Sequence, residues 1–326
     1  MPRFQHLFVG AAVVITAVAG NFANAQTASY PTKAIRWVVP IPPGGAPDVV
    51  ARLIGAKFSE QIGQPVVVDN RTGANGNIAA DLVAKADPDG YTLLIGQDSL
   101  ITVNPHLYAK MPFDALKDLV PVASLASNEF VLSVNPSVPA KTFKEFIDYA
   151  RKADPPLNFA SGGNGSQHQL AMEMLMQRAD IKLTHIPYRG GTPATVATVA
   201  GDTQVMFAGS STAPQIAAGK LRALAVTGAT HSKNFPDLPP IADIYPGYEV
   251  SIWIGLFAPA GTPDAVLQKL RAEIKVALAS PELQAKLSKA GGLSAMSTTP
   301  EAFKALIQSD YYKYGKLVRD VGIKLE

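Results

Sequence analysis

Short strand-like and helix-like segments alternate along most of this chain, with Gly- and Pro-rich loops between them. Residues 34–39 are rich in β-branched and aromatic side chains, which predicts a strand. Beyond the next loop, Val50, Ile54, Phe58 and Ile62 recur every four positions and define one face of a helix. Such alternation is typical of α/β proteins with mostly parallel sheets. These sheets bind ligands at the carboxyl ends of their strands, where loops meet helix N-termini.

The order of strand, glycine-rich loop and helix occurs twice, at residues 37–50 and again at 158–170. This repetition predicts two similar lobes within the 326 residues, a length that suits two domains or one large domain. No short-period repeat or low-complexity tail interrupts the alternation.

Several predicted helices begin at residues that can cap a helix N-terminus. Thr142 and Glu145 have the spacing of a capping box. Gly63 stands where a glycine C-cap belongs. Elsewhere a hydroxyl residue precedes a proline, which suits the first helical position. These pairs are Thr192-Pro193, Thr262-Pro263, Ser280-Pro281 and Thr299-Pro300.

Composition excludes several classes of site. The chain has no cysteine, which rules out disulfides, thiolate metal sites and cysteine nucleophiles. The net charge is only +3 and no basic patch is interleaved with aromatic residues, so nucleic acid is not expected as a partner. The sequence also lacks a phosphate-binding P-loop, a dinucleotide fingerprint, a G-x-S-x-G elbow and an H-E-x-x-H motif. We therefore expect no cofactor and no metal, and nothing local favours an enzyme.

The N-terminus has the three parts of a secretory signal peptide. Arg3 supplies a positive charge, residues 7–19 form an apolar run too short to span a bilayer, and residues 23–25 (Ala-Asn-Ala) suit a cleavage site. We expect residues 1–25 to be removed after Ala25 and the mature chain to enter the periplasm. A retained membrane anchor is the alternative. No later stretch reaches about 18 apolar residues, so we expect a soluble mature protein.

The loop after the first strand is the first candidate for binding an anion. Paired glycines let the backbone approach a ligand closely, and the helix that follows directs free N–H groups toward it. A plain strand-to-helix turn explains the same residues equally well. Asp48 lies near the helix start, where an acid complements the helix dipole, so we favour a structural or hydrogen-bonding role for it. The candidates here are Pro43, Gly44, Gly45, Ala46 and Asp48.

A second candidate loop precedes the helix predicted at 167–178. Its hydroxyls, amide and glycines can donate several hydrogen bonds to an oxyanion without a positive charge. A flexible turn with Ser166 as N-cap is the alternative. His168, in the first helical turn, could reach a ligand, although an exposed or structural histidine is the simpler interpretation. The candidates here are Ser161, Gly163, Asn164, Gly165, Ser166 and His168.

A third loop also places glycines before a helix start, at Gly191, Thr192, Pro193 and Ala194. Alone it is a weak signal, because Thr-Pro is simply a good helix opening. Three such loops in one chain indicate a cleft where helix N-termini converge on one or two carboxylates.

Seven motifs then occur in a fixed order. They are VPIPPGGAPD at 39–48, NRTGANG at 70–76, DPDGYTL at 87–93, NPSVP at 135–139, PYRG at 187–190, KLRALAV at 220–226 and WIGLFAPAGTP at 253–263. Each is weak alone, but the ordered set is specific and covers essentially all of the chain after the signal segment. Together they resemble the Bug family, the extracytoplasmic solute receptors of tripartite tricarboxylate transporters.

The resemblance implies a type II periplasmic-binding-protein fold, in which two α/β lobes with a ligand cleft are joined by two hinge crossings. We expect lobe 1 at residues 26–126 and 228–326, and lobe 2 at 127–227. The family's binding loops correspond to Pro43–Asp48 and Ser161–Ser166, with Gly191–Ala194 as a contributor.

The implied function is a monomeric receptor that captures a small mono- or dicarboxylate, with aromatic acids among the candidates. The receptor would deliver this ligand to the membrane subunits of a transporter. A periplasmic carboxylate sensor and, less favoured, a carboxylate-processing enzyme stay open. One position departs from the family pattern: Gln204 stands where an aspartate is common. A neutral side chain there is expected to weaken any preference for ligands that carry an amino group.

Overall fold

The computed structural model describes residues 30–209, 212–232, 234–290 and 292–323. The predicted signal segment and its cleavage site lie outside these residues. Within these ranges, no helix combines the length and the apolar character that a membrane crossing requires.

Two β-sheets with helices packed against them form two lobes. The strands are β1 Ile35–Val39, β2 Val66–Asn70, β3 Thr92–Gln97, β4 Leu119–Glu129, β5 Val131–Val134, β6 Asn158–Ser161, β7 Thr184–Pro187, β8 Val205–Ala208, β9 Arg222–Val226, β10 Ser251–Pro259 and β11 Ser294–Ala295. The α-helices are α1 Ala46–Ile62, α2 Asn77–Ala84, α3 Asn104–Leu107, α4 Phe143–Lys152, α5 Gln167–Ala179, α6 Gly191–Ala200, α7 Ala213–Ala217, α8 Asp264–Leu278, α9 Pro281–Lys289 and α10 Pro300–Val321.

Both sheets are mixed. Lobe 1 has the strand order β11-β4-β10-β3-β1-β2, and lobe 2 has the order β7-β6-β8-β5-β9. Strands β1 and β6 pair in parallel with both of their neighbours. In contrast, β10 is antiparallel to β3 and β4, and β5 is antiparallel to β8 and β9. The expectation of mostly parallel sheets was therefore wrong. The chain leaves lobe 1 along β4 and returns along β10, and two such neighbouring strands must run in opposite directions.

Each lobe has its own apolar core. The core of lobe 1 packs Trp253, Phe257 and Phe303 together, with ring centroids 5.2 to 6.2 Å apart. The core of lobe 2 includes Phe146 and Phe159, both fully buried. Two separate cores allow each lobe to keep its shape while the angle between the lobes changes.

The segment that leads back to lobe 1 packs on lobe 2 first. Ile241, Tyr248 and Val250 are buried in the lobe 2 core, and the Tyr248 hydroxyl donates to the Ala171 carbonyl at 2.9 Å. We therefore propose that the return crossing lies after Val250, where β10 begins, rather than at Thr227.

Of the capping box and the hydroxyl-proline pairs named above, the N-caps of α4, α9 and α10 are present and those of α6 and α8 are not. The hydroxyls of Thr142, Ser280 and Thr299 accept from backbone N–H groups in the first turns of α4, α9 and α10. Thr262 instead donates to the Pro259 carbonyl at 2.8 Å and leaves Pro263 as the N-cap of α8. Helix α6 begins at Gly191, so Thr192 lies inside the first turn and is not the N-cap. Pro193 is tolerated there because first-turn N–H groups have no partner within the helix and proline lacks this group.

Thr227 ties the two crossing segments together. Its buried hydroxyl accepts from the Phe130 N–H at 2.9 Å and donates to the Val250 carbonyl at 2.7 Å. Its backbone N–H also donates to the Phe130 carbonyl, and its own carbonyl accepts from the Val250 N–H, each at 3.0 Å. One residue thus satisfies backbone groups on both segments where they leave lobe 2.

We expect Thr227→Val to lower the free energy of unfolding by about 1–3 kcal/mol. The substitution leaves the buried Phe130 N–H and the buried Val250 carbonyl without the hydrogen bonds they make to the hydroxyl. Thr227→Ser is the matched control, since it keeps the hydroxyl and loses one methyl group, worth about 1 kcal/mol. Urea denaturation of the three proteins measures both effects. A valine variant as stable as the serine variant would contradict this role for the hydroxyl.

Candidate functional site

The loop between β1 and α1 is held in place by a buried carboxylate. Asp48 accepts from the Gly44 N–H at 2.9 Å, from Asn70 at 3.0 Å and from Arg52 at 3.0 Å. Asn70 also donates to the Ile41 carbonyl at 2.9 Å. Burial alone would raise the pKa of Asp48, but the hydrogen bonds from Arg52, Gly44 and Asn70 bring it below its ordinary value. The carboxylate is therefore ionised, and its hydrogen bonds to Gly44, Asn70 and Arg52 fix the conformation of this loop.

A strained segment lies beside this loop. The four residues Gly73–Gly76 have φ angles of 127°, 45°, 53° and 92°, all in the left-handed region. Non-glycine residues in this conformation cost of order 1–3 kcal/mol, and such strain clusters at functional sites. Asn104 holds the segment by donating to the Asn75 carbonyl at 3.1 Å. Gly76 packs so close to Pro40 that an added Cβ would lie 2.8 Å from the proline Cβ.

The same segment reaches the opposite lobe. The Asn75 side-chain amide donates to the Asn164 carbonyl at 3.0 Å, across 89 residues of sequence. Asn75 belongs to lobe 1, and Asn164 lies in the second candidate loop of lobe 2. The first and second candidate loops are consequently connected through Pro40, Gly76 and Asn75, as expected if both loops flank one cleft.

The hydroxyl of Ser161 is used inside lobe 2. Ser161 is fully buried, and its Oγ lies 2.5 Å from His185 Nε2 and accepts from the Gly163 N–H at 3.1 Å. His185 stacks on Phe159, and burial lowers the pKa of its imidazole. A serine beside a histidine suggests a nucleophile and its base, but a fully buried Oγ cannot meet a substrate. This pair shapes the loop.

Ser166 and Gln169 complete the internal bonding of this loop. Ser166 Oγ accepts from the Gln169 N–H at 3.4 Å, and Gln169 Oε1 accepts from the Gly165 N–H at 2.8 Å. The predicted N-cap at Ser166 is therefore present. With its side chains engaged in this way, the loop can offer an anion mainly backbone N–H groups, among them those of the first turn of α5, which lack partners within the helix.

His168 joins the second and third loops. An added Cβ on Gly162 would lie 3.1 Å from His168 Nδ1, and one on Gly191 would lie 3.3 Å from Nε2. The imidazole also contacts the Phe130 ring, with centroids 4.5 Å apart. The Gly190 N–H donates to the Gly162 carbonyl at 3.1 Å. Burial lowers the pKa of His168 to about 4, so the ring is neutral near pH 7 and fills the space between the loops.

The structure brings most of the candidates together, but not all of them. Pro43, Gly44, Asn164, Thr192 and Pro193 are exposed on the loops that flank the cleft. The partly buried candidates there are Gly45, Ala46, Gly163, Ser166, His168 and Gly191, and Gly165 is buried. Ala194 points away, because its side chain is buried in a cluster with Ala160, Met206 and Ala208.

Gln204 lies at the other end of the lobe 2 sheet. Its Oε1 accepts from the Asn158 N–H at 2.9 Å, and its Nε2 donates to the Gly201 carbonyl at 3.3 Å. Asn158 begins β6 and Ser161 ends it, so Gln204 is separated from the second loop by roughly 10 Å of strand. Gln204 therefore lies apart from the second candidate loop, and its contact with a ligand and its effect on amino-bearing ligands stay predictions.

Two contributors to the cleft were missed in the sequence. Asn75 makes a contact between the lobes, and Asn104 holds Asn75 in place by donating to its carbonyl. The available signal was Asn75-Gly76, because asparagine and glycine tolerate the left-handed conformation better than other residues.

Comparison with known proteins gives this geometry a context. The model of the "Tripartite tricarboxylate transporter family receptor" matches residues 50–323. The chain belongs to this receptor family. It is 34% identical over 319 residues to BugT of Bordetella pertussis, which covers 96% of this chain and 97% of BugT. The family is one of solute-binding receptors rather than enzymes.

Two solved structures share the two-lobe fold of this receptor. An R. palustris protein solved with adipate has a TM-score of 0.85 and 33% identity, covering 90% of this chain and 99% of that chain. MatC from Rhodopseudomonas palustris, solved with bound malate, has a TM-score of 0.79 and 32% identity, covering 89% of this chain and 100% of that chain. The predicted family and two-lobe fold are thereby confirmed.

We expect this receptor to become less stable as the pH decreases, and we expect His168 to contribute to this loss. The unfolded chain binds a proton near the ordinary pKa of 6.5, whereas the folded chain binds it only at about 4. Protonation between these values therefore favours the unfolded state, and this share of stability is complete above pH 6.5.

The test compares the parent with His168→Gln by urea unfolding from pH 8 to pH 4. The difference in unfolding free energy between the two proteins should shrink as the pH falls through this window. A difference that stays constant with pH would show that His168 is not held neutral by its surroundings.

Proposed function

We propose that this protein is an extracytoplasmic receptor that binds a small mono- or dicarboxylate between its lobes and delivers it to the membrane subunits of a tripartite tricarboxylate transporter. The contact from Asn75 to Asn164 carries the proposal, because it brings glycine-bearing loops of opposite lobes to one cleft. The receptor family and the relatives solved with adipate and malate support it.

The ligand would be held by helix N-termini. Helix α5 begins directly after the second candidate loop, and helices α1 and α6 begin within the first and third candidate loops. The first-turn N–H groups of a helix lack partners within it, and the helix dipole favours negative charge at that end. Glycines at positions 44, 45, 163 and 191 let this backbone approach a carboxylate closely. The proposed binding residues are those candidates that flank the cleft, without Ala194 and Gln204.

Binding would act through the angle between the lobes. A ligand that contacts both lobes favours the closed arrangement by its difference in affinity for the two states. The strands β4 and β10 connect the lobes and provide the pivot. Export to the periplasm, with cleavage after Ala25, belongs to the same proposal and rests on the signal-like sequence of residues 1–25.

A thermal-shift screen of the mature chain against organic acids tests the proposal. A ligand that binds only the folded state adds about 2.7 kcal/mol of stability at 100 times its Kd. The panel should contain adipate, malate, benzoate and acetate, with a neutral sugar and an amine as controls. Stabilisation by carboxylates alone is the expected result. Stabilisation by the sugar or the amine, with no response to any acid, would overturn it.

Mass spectrometry of the bound acid after long incubation then separates a receptor from an enzyme. A receptor returns the acid unchanged.

Capture of membrane proteins by the loaded receptor, and not by the empty one, tests delivery to a transporter. An empty receptor that captures the same proteins equally well would count against ligand-dependent delivery.

We expect Gly45→Arg to abolish binding of any acid found in the screen, because the side chain would occupy the approach to α1. The backbone of Gly45 has φ −76°, which arginine adopts without strain. Its Cβ would press on the end of Ile41, a flexible side chain that can move aside.

Val276→Arg adds the same charge on α8, where the native side chain is 59% exposed, and serves as the control. Calorimetry should detect binding to the control and none to Gly45→Arg. A folded Gly45→Arg protein with the parent's affinity would remove this loop from the site.

A further inference from the structure

Three buried polar side chains meet where lobe 2 packs on lobe 1. Asp98 follows β3 and Tyr314 lies on α10, both in lobe 1, and Gln167 is the first residue of α5 in lobe 2. They are only 1%, 1% and 4% exposed, respectively. None of the three belongs to the candidate loops described above.

Gln167 lies near both partners of lobe 1: its side chain influences the pKa of the Asp98 carboxyl and of the Tyr314 hydroxyl, and Leu170, one turn further along α5, packs with Tyr314. However, Asp98 Oδ2, Tyr314 Oη and both polar atoms of Gln167 are buried without a partner inside hydrogen-bonding distance among the described residues. Buried polar groups in native proteins are almost always paired, with protein or with ordered water. A small adjustment of the Gln167 side chain, or one bridging water molecule, would satisfy all three groups together.

The lobe 1 side of this contact is firmly built. Trp253 Nε1 donates to Asp310 at 2.8 Å, and Lys313 pairs with the other oxygen of Asp310 at 2.8 Å. Lys313 Nζ also lies 4.6 Å from the centre of the Tyr314 ring. Burial raises the pKa of Asp98, and the nearby Asp310 carboxylate raises it further. Both effects favour protonation relative to an exposed aspartate, and a protonated carboxyl can donate a hydrogen bond as well as accept one.

Gln167 also controls the position of the second loop. Leu170, one turn further along α5, is buried with Val103, Tyr314 and Leu317 of lobe 1. The Ser161–Ser166 loop ends directly before Gln167. Any shift of Gln167 relative to lobe 1 therefore moves this loop across the cleft.

We propose that Gln167 is a positioning residue for ligand binding: its amide couples lobe 2 to Asp98 and Tyr314 of lobe 1 and so sets the angle at which the Ser161–Ser166 loop faces lobe 1. The inference rests on the proposed function for its biological meaning, but its structural part can be tested without a ligand.

The absence of native cysteine makes a distance measurement possible. Val67 on β2 and Val196 on α6 are 51% and 63% exposed and lie in different lobes. Spin labels on Val67→Cys and Val196→Cys would report the distance between the lobes by double electron–electron resonance. In this background, Gln167→Leu should shift the mean distance by more than about 2 Å, the scale of a domain rearrangement, or broaden its distribution.

Matched variants separate positioning from general stability. Gln284→Leu makes the same substitution at an exposed glutamine on α9, whose amide donates to the Leu278 carbonyl at 2.8 Å. It should leave the distance unchanged. Tyr314→Phe removes only one hydroxyl and should give a smaller shift than Gln167→Leu, and it keeps the inference testable if Gln167→Leu fails to fold. Asp98→Asn keeps a neutral polar group and should retain the parent distance.

Calorimetry with adipate gives the second readout. Gln167→Leu should weaken adipate binding by about tenfold, which corresponds to 1.4 kcal/mol, while Gln284→Leu should not. If adipate does not bind the parent, the proposed ligand class fails and the distance measurement still decides this inference. An unchanged distance distribution in both Gln167→Leu and Tyr314→Phe would overturn it, and so would an equal shift in Gln284→Leu.

Discussion

An anion enclosed between two lobes needs hydrogen-bond donors that are already aimed at it, and here the backbone can supply them. This requires that the rest of each loop bonds internally. Asp48 fixes the first loop through Gly44, and Gln169 fixes the second through Gly165. His168 holds the third loop against the second. The polar side chains around the cleft serve mainly to hold its backbone, since leaving buried donors to rearrange would cost affinity.

The mixed sheets follow from the same requirement for a movable cleft. A chain that must leave one lobe and return to it forms an antiparallel pair of crossings, here β4 and β10. The strands that carry the candidate loops, β1 and β6, remain parallel to their neighbours. Parallel strands direct their carboxyl ends to one edge, so each lobe presents its loops along one edge. The crossing strands join the lobes, and the parallel strands position the candidate loops.

Local patterns in the sequence predicted the elements that depend on local physics. The period of Val50, Ile54 and Phe58 placed α1, and the hydroxyls of Ser280 and Thr299 marked true helix starts. Strand β4 was missed because Pro121 and its small polar residues hide the pattern of a strand. The position of Gln204 beside the start of β6 was not foreseen, because a family position does not reveal which end of a strand it occupies. Asn75 and Gln167 act through partners 89 and more than 60 residues away, which no local pattern can indicate.

The contacts between the lobes must be weak enough to break. A ligand moves an equilibrium between open and closed states only by its difference in affinity for them, and about 5.5 kcal/mol takes the closed fraction from 1% to 99%. Beyond the apolar packing of Leu170 against Val103, Tyr314 and Leu317, the contacts between the lobes described above are polar. The contact at Asn75 is a single neutral hydrogen bond, worth about 1 kcal/mol net. The junction at Gln167 is polar and incompletely bonded within the protein. Both features keep the closed state within reach of a small ligand, which could not reverse a stronger preference.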